Sequence, residues 1–136
     1  MNNQEQIFPK ARVTDITVQE LPDETLIYDL TCDKAHCLNS SAALIWKWAD
    51  GKRSINEIVE IAQRELDQSV NEDLIMYGLS QLTDAGLMQE NGATNSVRQI
   101  SRRELIKRLG LAIVIALPLV TSIVAPTAVA AQTQCR

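Results

Sequence analysis

Cys32, His36 and Cys37 fall within one six-residue stretch. They are the residue types from which metal sites and thiol nucleophiles are built. Neither chemistry closes here. His36 and Cys37 are neighbours on a segment that reads as a strand, so their side chains point to opposite faces. Three ligands from one hairpin then fail to converge, and no second Cys/His pair exists to complete four. A nucleophilic cysteine needs a base and a group that orients the base. His36 is the only histidine, and nothing in the sequence places it next to a thiolate. The acidic residues sit at helix starts and solvent faces, where they complement the positive helix end. The expectation is a protein that is not an enzyme, with no catalytic residue, no metal and no cofactor. Cys37 is expected as a small core residue, and His36 as exposed on a strand edge.

These residues lead into the stretch around which the chain is organised, Cys37 to Gly51. Ala42, Ile45, Trp46 and Ala49 follow the i, i+3, i+4, i+7 spacing of one helical face. Asn39, Ser40 and Ser41 are types that accept the unpaired N–H groups of a first helical turn. Asp50-Gly51 is a stop. Trp46 is expected to anchor the core. Before this helix, Val13–Leu21, Thr25–Leu30 and Ala35–Leu38 read as three strands joined by short polar turns, which makes them an antiparallel meander.

After it, Ser54-Ile55-Asn56-Glu57 is a capping box that opens a second helix, with Ile55, Ile58, Val59, Ala62 and Leu66 as its apolar stripe. Ser69-Val70-Asn71-Glu72 repeats the pattern and is expected to open a third helix, which ends at Gly86. Leu87-Met88-Gln89 reads as a short closing strand. Three strands, three short helices and a last extended piece predict an α+β domain of the winged-helix kind over residues 13–90. Residues 1–12 are expected to be a flexible N-terminus, and residues 91–100 a polar linker.

Residues 101–136 change character. They hold Arg102, Arg103, Lys107, Arg108 and Arg136 against Glu104, a surplus of four positive charges. The whole chain of 136 residues carries −4, so the first 100 carry −8. An acidic body excludes the usual nucleic-acid surface, because phosphate contacts need clustered Lys and Arg. A third helix with Glu72, Asp73 and Asp84 and no basic residue would make a repelled DNA reader. Three cysteines, odd and sparse, are no disulfide framework and fit a reducing cytoplasm. Met1 to Lys10 is polar with no apolar run behind a charged start, so no N-terminal signal peptide is expected. Leu109 to Ala131 contains no charged residue, over about the length that spans a bilayer. With the basic residues ahead of it, this apolar stretch is expected to be a helical tail that anchors the domain to the inner face of the membrane. Two other readings stay open: an export-like or peptide-like segment read by a protein partner, including the domain's own groove or a neighbour's, or a helix that packs on a partner.

From about Val13 to Met88 the sequence resembles the PqqD family (coenzyme PQQ synthesis protein D), whose domains also serve as recognition elements for ribosomally made, enzymatically modified peptides. The residues that carry the resemblance are Leu38-Asn39, Ala42, Ile45-Trp46, Asp50-Gly51, Ile58, Leu79, Leu82 and Gly86-Leu87. They match the pattern LN-x-x-A-x-x-(I/V)W-x-x-x-DG followed by two amphipathic helices. The resemblance implies a non-catalytic peptide chaperone. It would bind the leader of a precursor peptide as an added strand and present it to a modifying enzyme, often a radical SAM protein. Carried over, the binding edge is Lys34, Ala35, His36, Cys37 and Leu38, and the helical wall is Leu74, Ile75, Tyr77, Gly78 and Gln81. A glycine inside a helix costs about 1 kcal/mol against alanine. Gly78 therefore serves either close approach of a ligand backbone or tight packing within the domain. Other functions left open are a winged-helix DNA-binding regulator and a scaffold whose groove holds its own tail. A homodimer through pairing of two third strands is also left open.

Overall fold

The computed structural model describes residues 8–66, 70–89, 102–109 and 117–124. In chain order the elements are β1 (Ile16–Glu20), β2 (Glu24–Asp29), β3 (Lys34–Asn39), α1 (Ser40–Trp48), α2 (Ile55–Leu66), α3 (Glu72–Asp84), α4 (Arg102–Leu109) and β4 (Val120–Val124). The strands form one antiparallel sheet in the order β1-β2-β3-β4. The class is α+β, as expected, but the sheet has four strands rather than three. The fourth comes from the tail.

Local chemistry accounts for most boundaries. Leu21 N–H donates to Glu24 O at 2.8 Å and closes the β1–β2 turn. Asp33 takes a left-handed conformation (φ 52°) in the β2–β3 turn, which a short acidic side chain tolerates. Asn39 caps α1 by accepting from Ala42 N–H at 3.0 Å. The box at Ser54 forms in both directions: Glu57 N–H donates to Ser54 Oγ at 3.3 Å, and Ser54 N–H to Glu57 Oε1 at 3.4 Å. α3 is capped by Asn71, which accepts from Leu74 N–H at 3.1 Å. The cap expected from Ser69 is thereby corrected; Ser69 itself lies outside the described residues. Gly86 (φ 76°) ends α3, with Leu87 N–H donating back to Leu82 O at 2.9 Å.

The helices cover one face of the sheet. Ile27 and Leu38 point inward to meet Ile45, Ile58, Leu74, Ile75, Leu79, Leu82 and Leu87, all almost fully buried. Each such side chain contributes about 1.5–3 kcal/mol relative to exposure. Trp46 is only partly buried; it packs on this cluster and donates Nε1–H to Leu87 O at 3.2 Å. Ile45, not Trp46, is the deepest large side chain of α1. Leu105 of α4 is fully buried, so part of the tail belongs to the same core.

Pro9–Arg12, assigned to the flexible N-terminus on sequence grounds, runs between the end of α1 and Leu87–Gln89. Gly51 N–H donates to Pro9 O, Arg12 N–H to Leu87 O and Gln89 N–H to Lys10 O, at 2.8–2.9 Å. Arg12 then reaches the sheet and grips Asp29 with two nitrogens, at 2.7 and 2.9 Å. Burial alone would push the Asp29 carboxyl up, but Arg12 and the Thr31 N–H together hold it below its ordinary value.

Residues 117–124 lie in the middle of the expected membrane anchor. Val120–Val124 is a strand hydrogen-bonded into the sheet, which corrects the helical tail. Among the described residues no helix is long and apolar enough to cross a membrane. The remainder of the 109–131 stretch beyond Leu109, and the 91–100 linker, lie outside the described residues.

Candidate functional site

β3 is the strand whose outer edge the sequence marks for pairing. In the structure that edge is filled from end to end. β4 pairs with it antiparallel in the register Lys34↔Val124, Ala35↔Ile123, His36↔Ser122, Cys37↔Thr121 and Leu38↔Val120. A free β3 edge open to a second copy is thereby corrected. On the other side of the seam stands α3, and the segment Leu117–Val120 lies between the two.

Two amide side chains hold that segment by its backbone. Asn39 N–H donates to Leu119 O at 3.1 Å. The Asn39 side chain donates to Leu117 O at 2.8 Å and accepts from Leu119 N–H at 3.0 Å. Gln81 of α3 donates through Nε2 to Pro118 O and accepts at Oε1 from Val120 N–H at 3.2 Å. A peptide backbone is thus read by its own donors and acceptors, independent of side-chain identity.

Gly78 supplies the space. A Cβ at this position would collide with Ile45 Cδ1 and lie 3.1 and 3.2 Å from Pro118 Cγ and Cβ. Of the two uses left open for Gly78, tight packing is the one seen: the Ile45 side chain and the Pro118 ring both approach bare helix backbone there. Leu74 and Ile75, expected on the groove wall, are 1% exposed and belong to the domain core. Tyr77 is half-buried against that core. Of the five wall residues, Gly78 and Gln81 are the ones shown against the segment.

The two faces of β3 are opposite to expectation. His36 is 1% exposed and points inward with Leu38, whereas Cys37 is only partly buried on the outer face. His36 Nδ1 is 2.7 Å from Ser122 Oγ, and Nε2 has no partner among the described residues. Burial holds its pKa below the ordinary value; Asp29 opposes this, while Lys34 and Arg12 add to it. Cys37 donates its thiol hydrogen to Glu24 Oε2 at 2.8 Å, and this bond, with burial, raises its pKa. Such a thiol is held protonated, the reverse of an activated nucleophile. Cys32 is disulfide-bonded, which corrects the expectation of unpaired cysteines. No cluster of three His, Cys, Asp or Glu suited to a metal occurs among the described residues.

Sequence reasoning missed Leu117, Pro118 and Ser122 as site residues and took Asn39 only as a cap. A signal was present. Val120, Thr121, Ile123 and Val124 are β-branched and favour a strand. A cleft of about 250 Å³, lined by Gln81, Asp84, Ala85, Val120 and Ser122, continues the seam beyond Gln81.

Residues 24–88, from the start of β2 to the Met88 bridge with Ala11, match the family model of coenzyme PQQ synthesis protein D (PqqD). No curated protein and no solved structure matches the chain.

Proposed function

We propose that this chain, which belongs to the PqqD family through residues 24–88, is a non-catalytic peptide-binding element of a peptide-maturation pathway of the PQQ kind. It takes an extended segment beside β3 and against α3 and presents it to a modifying enzyme. The family resemblance points to an enzyme of the radical SAM type. What supports the reading most is one observation: a segment of extended chain already sits there, paired along Lys34–Leu38 and clamped by Asn39 and Gln81. An unpaired strand edge offers N–H and C=O groups that a peptide satisfies, and flanking pockets choose among sequences.

That occupant is the chain's own, and this favours a second reading in which residues 117–124 are a resident ligand that an incoming peptide must displace. Amide-resolved NMR of the full chain tests both. Precursor peptides encoded beside this chain are expected to shift the Lys34–Leu38 and Gly78–Gln81 amides and to release those of Val120–Val124. Saturating binding that moves only other faces would remove the site assignment. Binding in the groove without release of β4 would remove the second reading alone.

A further inference from the structure

The three points where residues 117–124 meet the body are unlike one another, and each asks for a different side chain. Leu117 is 7% exposed and joins the apolar core. Pro118 is buried with its ring on the bare backbone at Gly78. A proline brings no N–H into this buried spot, so no donor is left to satisfy there. Ser122 gives the buried His36 ring its one hydrogen bond among the described residues. A side chain without a hydroxyl would leave both ring nitrogens unpaired away from water.

The intervening positions are not read. Leu119 and Ile123 are 50% and 61% exposed, and Thr121 is exposed on the same outer face. Val120 is half-buried between them, at the backbone clamp of Gln81. Ser122 is itself exposed, yet its Oγ reaches the buried His36 ring, so the hydrogen bond and not burial sets it apart from its neighbours.

We propose that the groove is selective for one class of ligand, an extended segment with Leu-Pro at its start and a hydroxyl residue four positions after the proline, apolar between them at the inward position. This rests on the groove reading above and names what the groove chooses. The backbone clamps hold any strand; Gly78, the core beside it and His36 select this one. Residues 117–124 are its bound example, and a second chain carrying the pattern is its ligand in trans.

The test uses a labelled synthetic peptide with the sequence of residues 117–124 and the full-length chain, read by fluorescence anisotropy and by amide NMR. In the wild-type chain the tethered strand competes at high effective concentration. The Val120→Pro chain, which lacks the N–H that Gln81 accepts, is expected to bind the peptide at least about tenfold tighter. Peptides carrying Pro118→Ala or Ser122→Val are expected to bind about fivefold more weakly. Substitutions of Leu119, Thr121 or Ile123 to Gln in the peptide are expected to change affinity by less than about twofold. A chain with Ser122→Val replaces the Val120→Pro chain if the latter loses its dispersed amide spectrum. A scrambled peptide of the same composition that binds equally well at Lys34–Leu38 overturns the selectivity and leaves the groove standing. If no peptide shifts these amides in any chain, the groove reading falls as well.

Discussion

β3 has two seams, and they are built differently. Toward β2 it is joined by a four-residue turn, Leu30–Asp33, and the inward side chains Ile27 and Leu38 are fully buried. Toward β4 the partner comes from far along the chain: His36 and Ser122 are 86 positions apart. Here the grip comes from amide side chains, and two of the partner's large apolar residues face solvent. The first seam is made by burying apolar surface and is part of folding. The second is made largely by backbone recognition and has the character of a binding interface. One strand is thus joined to a near neighbour by apolar burial on one edge and to a distant segment of the chain by backbone clamps on the other.

Substitutions that discriminate the seams sharpen this contrast. The largest effect is expected at the first: Ile27→Ala should lower global stability by about 4 kcal/mol, read as a shift in urea midpoint. A change that merely loosened β4 would contradict the contrast. Arg12→Ala should cost about 3 kcal/mol, because Asp29, 1% exposed, would be left as an uncompensated buried carboxylate. Arg12→Lys should recover only part, since an ammonium lacks the two-pronged grip. Asn39→Ala touches both seams. It removes the α1 cap and two bonds to residues 117 and 119, and should cost about 2 kcal/mol. Hydrogen exchange at Val120–Val124 should accelerate more than at β2. Ser122→Ala should act on the second seam alone, speeding β4 exchange about fivefold with no shift in the global midpoint.

The smallest expected effect is that of pH on the second seam. The His36 pKa in the folded chain lies below its ordinary 6.5, so the unfolded or undocked state binds the proton more readily. Docking of β4 is therefore at full strength above about pH 6.5 and weakens as pH falls below it. Asp29 moderates the loss, while Lys34 and Arg12 increase it. Exchange rates of β4 that are flat between pH 7 and 5.5, after correction for intrinsic chemistry, would contradict the assignment. A His36→Gln chain should lose the dependence.

The body was legible because its signals are local. The capping box at Ser54, the Asn39 cap and the Gly86 stop each act within a turn of helix. The errors have local causes too. Asn71 lies two residues beyond Ser69 within the same box pattern, and both are good caps. The inward face of β3 was assigned from residue type, which favours a buried Cys37 over a buried His36. The better guide was parity: Leu38 leads into α1 and must point inward, and His36 two residues earlier shares its face. The tail was misread because uninterrupted apolarity signals a bilayer helix and a buried strand alike. Of the candidate site, the resemblance named Gly78, Gln81 and the β3 edge, which the structure places against residues 117–124. Its other half, Leu117–Val124, is distant in sequence, and pairing across that distance leaves no local mark.

The same distance sets an order in time. The body through Met88 is synthesised before Val120 is added. At about 5–20 residues per second, the 36 residues from Met88 to Val124 take roughly two to seven seconds to add. Throughout that interval the β3 edge has no strand of its own to pair with. On the proposed reading, a peptide that reaches that edge during synthesis competes with no tethered strand, whereas one that arrives later does.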